Sequence, residues 1–98
     1  MLILRVLARH GELHGYEIAN AIQRVSEEVL QVEEGSLYPA LQRMLLKGWV
    51  EAQWGVTAGN RRARYYQLTE LGRAQLHSEL EQYRRVSAAI QRVLGEAV

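Results

Sequence analysis

Gly35-Ser-Leu-Tyr-Pro-Ala-Leu-Gln-Arg-Met-Leu-Leu-Lys-Gly-Trp49 is the stretch on which the fold turns. It reads as a short two-faced helix with its start and stop both written in the sequence. Ser36 is placed to cap the N-terminus, Pro39 falls in the first turn, and Gly48 supplies the C-terminal stop. Leu37, Leu41, Met44 and Leu45 recur at helical spacing and form one apolar stripe. Ser36, Pro39, Ala40, Gln42, Arg43 and Lys47 lie on or near the other face. One face packs, and the other is presented.

Downstream, Trp49 to Trp54 alternates in the manner of a strand, and Arg62 to Leu68 does the same. Gly55-Val-Thr-Ala-Gly-Asn60 suits the loop between them, so the pair reads as a β-hairpin. A helix followed at once by a hairpin carrying Arg61, Arg62 and Arg64 has the layout of a winged helix-turn-helix. Upstream, Leu2 to Arg9 is a short helix stopping at Gly11. His14-Gly-Tyr-Glu opens a second helix to about Val25, with Ile18, Ile22, Val25 and then Val29 on one side. Val29-Leu-Gln-Val reads as an extended connector or a third strand for the wing. Thr69 is a good N-cap and Glu70 suits the positive end of a long helix running to about Leu94.

That last helix carries Leu76, Leu80, Tyr83, Ser87, Ile90 and Leu94 at alternating spacings of four and three, and Val86 and Val93 widen the stripe. A helix of this length spans roughly 37 Å, more than a three-helix core can cover. Part of the stripe is therefore expected to meet a second subunit across a two-fold axis. The fold class that follows is mainly α with a small β-hairpin. Residues 1–68 are expected to form a winged helix-turn-helix and residues 69–98 a C-terminal dimerisation helix.

The chain has 98 residues, a formal net charge of +1 and no cysteine, so it has neither a disulfide framework nor a thiolate metal site. Its charge is unevenly spread: residues 1–35 carry net −3, residues 36–64 net +4, and the remainder is balanced. Positive charge thus gathers on the presented helix and the hairpin, the footprint of a surface that neutralises phosphates. The apolar runs are too short for a signal peptide or a spanning helix, and the reading is a cytoplasmic protein with no membrane partner.

In this order, His14-Gly-Tyr-Glu-Ile, Gly35-Ser-Leu-Tyr-Pro-Ala-Leu-Gln-Arg-Met, Gly48, Arg61-Arg, Tyr65-Tyr and Leu68-Thr-Glu-Leu-Gly resemble the motifs of the PadR family of bacterial transcriptional regulators. The resemblance covers nearly the whole chain and fits the compact branch with one terminal helix. It implies a homodimeric winged-helix protein that binds double-stranded DNA, usually a repressor, with first and terminal helices at the dimer interface. In some compact members of the family the space between subunits accepts flat aromatic or drug-like molecules, with an aromatic on the terminal helix lining it, and Tyr83 occupies that kind of position here. Most such relatives are charged where this chain has Leu45-Leu46, which leaves Leu46 open between burial, packing on the wing and exposure.

On the presented helix, Gln42 suits adenine, Arg43 guanine and Lys47 a phosphate. Ser36 and Tyr38 at its start suit phosphates. The alternative is a solvated helix face. Arg61, Arg62 and Arg64 form the wing's cationic set for minor groove or backbone, with a merely solvated hairpin as the alternative. Tyr65 and Tyr66 point to opposite faces of a strand, so one must pack inward. Tyr16 is placed either to reach the DNA backbone or to bury its ring. Leu2, Ile3, Leu76, Leu80, Tyr83, Val86, Ser87, Ile90 and Leu94 are the candidate dimer surface. His10 and His14 are four apart, but Gly11 ends the helix between them, so no metal site is expected. No cofactor and no catalytic constellation is read here, and an enzyme is not expected. The competing function is a winged-helix module that binds protein instead of DNA.

Overall fold

The computed structural model describes residues 1–95. Its elements are α1 (Leu2–His10), β1 (Leu13–His14), α2 (Gly15–Val25), α3 (Glu34–Leu46), β2 (Val50–Val56), β3 (Arg62–Leu68) and α4 (Glu70–Leu94). Three antiparallel strands form one sheet in the order β1-β3-β2. Leu4 and Leu7 of α1, Ile18 and Ile22 of α2, Leu37 and Leu41 of α3, Val50, Tyr66 and Leu76 close a common apolar core. The mainly helical winged architecture is therefore present, with a three-stranded sheet.

The helix ends have identifiable chemistry. Gly48 sits in the left-handed region at φ 76°, its N–H reaches the Leu45 carbonyl, and the Trp49 N–H reaches that of Met44. This is a Schellman motif, with glycine where a Cβ would be strained. The same pair of bonds ends α2, where Glu28 N–H reaches Gln23 and Glu27 N–H reaches Arg24, but here the left-handed residues are Glu27 at φ 53° and Glu28 at φ 66°. At the start of α4, the Thr69 hydroxyl accepts the Gly72 N–H at 3.0 Å and donates to the Gly48 carbonyl at 2.6 Å. One side chain thereby caps α4 and fastens it to the end of α3.

Several boundaries differ from the sequence reading. α3 begins at Glu34, two residues before Ser36, with the Glu33 carbonyl accepting from Ser36 and Leu37. The backbone bonds to the Glu33 carbonyl close the first turn there, so the start moves upstream. Ser36 is consequently inside the helix and is not its cap, and Pro39 lies beyond the first turn. Val25, the last residue of α2, is 68% exposed, and Val29 is 80% exposed because the turn at Glu27 and Glu28 breaks the period it would have continued. The third strand is Leu13–His14, paired with Tyr66 and Tyr65, and the Val29–Val32 segment joins no sheet. β2 runs through Gly55 and Val56, leaving a shorter tip closed by Thr57 N–H to Arg61 carbonyl at 2.8 Å. Gly55 pairs with Ala63 because the Tyr65 ring lies across it; a Cβ there would stand 2.8 Å from two ring carbons.

α4 spans 25 residues and gives the molecule a long axis of 56 Å. Leu76 is buried in the chain's own core, and Leu80 is half-buried against it. The apolar face available to a partner therefore starts later than the sequence stripe does. Tyr83, Val86, Ile90, Val93 and Leu94 are exposed, Ser87 is half-buried, Leu2 is exposed and Ile3 is half-buried. Residues 96–98 of the expected terminal unit lie outside the described residues.

Candidate nucleic-acid interface

Helical geometry sorts the exposed side of α3 into a ridge and two edges. Gly35, Pro39, Gln42 and Leu46 run along the outermost line, and Leu46 is 79% exposed, which decides the three readings of that residue in favour of solvent. Ser36, Ala40 and Arg43 form one edge and line a hollow shared with Met1, Leu2, Ile3 and the 30–33 segment. Tyr38 is on the other edge, facing the hairpin. Ser36, Pro39, Gln42 and Arg43 are all exposed.

Lys47 departs from the grouping expected of it. It is the C-cap residue of α3, and its Nζ lies 4.7 Å from the centre of the Trp49 ring. Its charge also acts on Glu79 of α4. The ammonium is drawn toward the α3–α4 junction and does not stand beside Gln42 and Arg43. Glu79 accepts a hydrogen bond from Gln75 at 2.7 Å and pairs with the Met1 amino group at 2.9 Å. Burial alone would raise its pKa, but the Gln75 bond, the Met1 ammonium and Lys47 together hold it below the ordinary glutamate value.

The hairpin has two unlike faces. Val50, Ala52, Trp54 and Val56 share one face with Arg62, Arg64, Tyr66 and Leu68, by the register that pairs Val50 with Leu68 and Trp54 with Arg64. At the root this face is core, with Val50 and Tyr66 buried. Further out the same face leaves the body and carries Trp54, Arg62 and Arg64, all exposed. The opposite face is polar and tied down: Gln67 donates to Glu51 at 2.7 Å, Gln53 donates to Glu12 at 2.6 Å, and the His14 ring meets Tyr65 edge-on at 5.3 Å. Of the tyrosine pair, Tyr66 is the one that packs inward.

Between the hairpin and the helices lies an open cleft of about 620 Å³ whose lining includes Tyr16, Tyr38, Trp54, Arg61, Arg62 and Arg64. The structure thus brings together the α2 start, the α3 start and the wing, three segments that the sequence separates widely. Tyr38 is 47% exposed and its hydroxyl end rests over Gly15, where a Cβ would come within 3.0 Å of the oxygen. Tyr16 is 61% exposed, so its ring is not the core tyrosine of the bland reading. Among the described residues, none of the three wing arginines has a carboxylate at ion-pair distance. Their charge is available to an anionic surface.

Trp54 is the member of this cleft that sequence reasoning missed. It counted only as an alternating strand residue, yet the ring is 62% exposed and carries the Arg62 guanidinium 4.8 Å from its centre. The available signal was a tryptophan sharing a face with two arginines. Elsewhere, no group of three or more His, Cys, Asp or Glu among the described residues could hold a metal ion, and no described helix is long and apolar enough to cross a membrane.

The sequence pattern of the Transcriptional regulator PadR-like family matches residues 3–78. Among solved structures, the chain is similar to a transcriptional regulator from Clostridium thermocellum, with 26% identity, a TM-score of 0.86, and 95% of this chain and 89% of that one covered. It is similar to a PadR family transcription regulator from Clostridium difficile, with 31% identity, a TM-score of 0.79, and coverages of 96% and 95%. It is also similar to Bacillus subtilis PadR, solved in complex with operator DNA, with 26% identity, a TM-score of 0.70, and coverages of 81% and 44%.

Proposed function

The chain belongs to the PadR-like family of transcriptional regulators, a family of regulators and not of enzymes, and from that premise we propose that it is a homodimeric repressor which binds a pseudo-palindromic operator. Residues 1–68 are the DNA-binding unit and α4 is the dimerisation helix. The observation that carries the reading is the cleft itself, in which the exposed arginines of the wing stand across from Tyr38 on the hairpin-facing edge of α3 and Tyr16 at the start of α2. The Bacillus subtilis relative, solved with operator DNA, supports it.

In this reading α3 enters the major groove. Gln42 and Arg43 read base edges, and a good bidentate contact gives about 1–3 kcal/mol of discrimination. Ser36 and Tyr38 near the helix start lie along the backbone with Tyr16, Pro39 stands on the groove-facing ridge beside Gln42, and Arg61, Arg62 and Arg64 take phosphates or the minor groove. Lys47 contributes long-range charge from the α3–α4 junction. In a dimer joined through Leu2, Ile3 and the outer half of α4, the two α3 helices stand about 34 Å apart, one turn of duplex. The exposed apolar run on α4 supports that assembly.

The test is selection from a randomised duplex library at two salt concentrations, alongside an Arg61/Arg62/Arg64→Ala variant. The expected result is enrichment of a palindrome and steep loss of affinity with salt, with a shallower slope for the variant. Absence of duplex binding at low salt by either protein would overturn the DNA reading and favour a protein-binding module. We further propose a small planar aromatic effector between the subunits at Tyr83, which is 55% exposed within an otherwise aliphatic run. A folded Tyr83→Ala dimer that kept its full ligand response would exclude that stacking role.

A further inference from the structure

We propose that Trp54 is a positioning residue of the wing, holding the Arg62 guanidinium in a fixed orientation for a backbone phosphate; the proposal rests on the DNA-binding reading above. β2 and β3 are in a register that pairs Trp54 with Arg64 and Val56 with Arg62, so Trp54 and Arg62 are diagonal neighbours on the cleft-facing side. Cross-strand diagonal neighbours are within reach of an aromatic ring and a long side chain. The guanidinium carbon stands 4.8 Å from the ring centre.

The chemistry of this contact suits presentation to an anion. A guanidinium held over an indole ring is attracted by the π electrons and does not spend its N–H donors on a carboxylate, so the cation remains able to grip phosphate oxygens. Arg62 has no carboxylate partner among the described residues that would compete for those donors. A free arginine must give up rotamer freedom when it binds, and one already held over an aromatic ring has surrendered part of it beforehand. Trp54 is 62% exposed, too open for a residue retained only to fill the core. A polar tether on the opposite face, Gln53 to Glu12 at 2.6 Å, fastens the strand that carries the ring. The ring therefore sits on a secured part of the wing, short of the tip.

The experiment is a double-mutant cycle on a short duplex selected by the wild-type protein, titrated across a salt series. Trp54→Leu is expected to weaken binding about two- to fivefold. Arg62→Ala is expected to weaken it and to lower the salt slope by about one. In the Arg62→Ala background, Trp54→Leu should cost nothing more, and Trp54→Tyr should keep most of the wild-type affinity. Arg62→Lys, which preserves both the charge and the indole, should lose affinity with its slope intact. In the free protein, the Arg62 Nε–H resonance should be displaced by the ring current and return toward its ordinary position in Trp54→Tyr, in part, and Trp54→Leu, in full.

Equal losses from Trp54→Leu with and without Arg62 would overturn the proposal, since the indole would then act on its own. So would an undisplaced Arg62 resonance, or full affinity in Arg62→Lys, and both remain readable if Trp54→Leu fails to fold. Failure of the wild type to bind any duplex would instead remove the DNA reading and this proposal together, a result distinct from binding with additive losses.

Discussion

Replacing Gly72 by alanine adds one methyl group and should nonetheless be among the most damaging small changes in the molecule. Gly72 is buried in the first turn of α4, and a Cβ there would drive into the Trp49 carbonyl oxygen, with the carbonyl carbon at 2.9 Å and Leu68 Cδ1 at 2.8 Å. The Leu68 methyl could rotate away. The Trp49 carbonyl cannot, because it accepts the Thr69 N–H at 3.1 Å and belongs to the chain leaving α3. Relief requires α4 to back off, which strains the Thr69 cap on Gly72 and the Thr69–Gly48 bond together. Overpacking of this kind costs about 1–3 kcal/mol, and each hydrogen bond compromised adds about 1 kcal/mol. Alanine's better helix propensity returns at most about 1 kcal/mol. The net expectation is a loss of about 2–4 kcal/mol, or roughly 10–25 °C in Tm for a domain of this size.

Urea unfolding followed by far-UV circular dichroism reads this directly, at one fixed protein concentration so that subunit association does not enter the comparison. Gly35→Ala is the control, since a Cβ at that helical position meets nothing within 4 Å. It should leave the midpoint unchanged or raise it. A Gly72→Ala midpoint equal to the wild type's would refute the steric argument. Equal damage from both substitutions would trace the effect to helix initiation instead.

Thr69→Ala removes the hydroxyl that caps α4 and ties it to Gly48, and should cost about 1–2 kcal/mol in the same assay, with Thr69→Ser recovering most of it. The Glu79 pKa is lowered in the folded state, so its ionised form stabilises the protein above the unfolded value, and that contribution is lost as pH falls through the folded one. Glu79→Gln should therefore be less stable than the wild type at neutral pH, with the gap closing on acidification; a gap constant with pH would exclude the linkage. Ile90→Glu puts a charge into the exposed apolar run of α4 and should convert a dimer to a monomer in sedimentation velocity, while the far-UV circular dichroism spectrum at low temperature keeps its native helical content.

Much of the fold was legible because its main elements announce themselves locally. The α4 boundaries follow from Thr69, Glu70 and a sustained heptad-like spacing, and α3's stop follows from Gly48. What escaped is non-local or context-dependent. β1 is two residues long and exists only through pairing with Tyr65 and Tyr66, so no local pattern could reveal it. Gly55 looked like loop because its reason for being glycine is the ring of Tyr65 on the neighbouring strand. Leu76 looked like interface because periodicity alone does not say where a helix leaves its own core. In the candidate site the arginines and α3 were evident from charge and spacing, whereas Trp54 and the turning of Lys47 toward Trp49 depend on which side chain lies across from which.

His14 holds three memberships at once. It closes β1 against Tyr65, its N–H donates to Glu17 at 3.0 Å at the entry to α2, and its ring abuts Tyr65 on the back of the wing. A substitution there would tilt the hairpin and the α2 entry in concert. In a genetic screen for altered operator recognition, lesions at this codon are expected to gather with those of the wing arginines although the ring packs on Tyr65. Second-site revertants would map to codon 65 or codon 17, tracing a hidden linkage group through the structure.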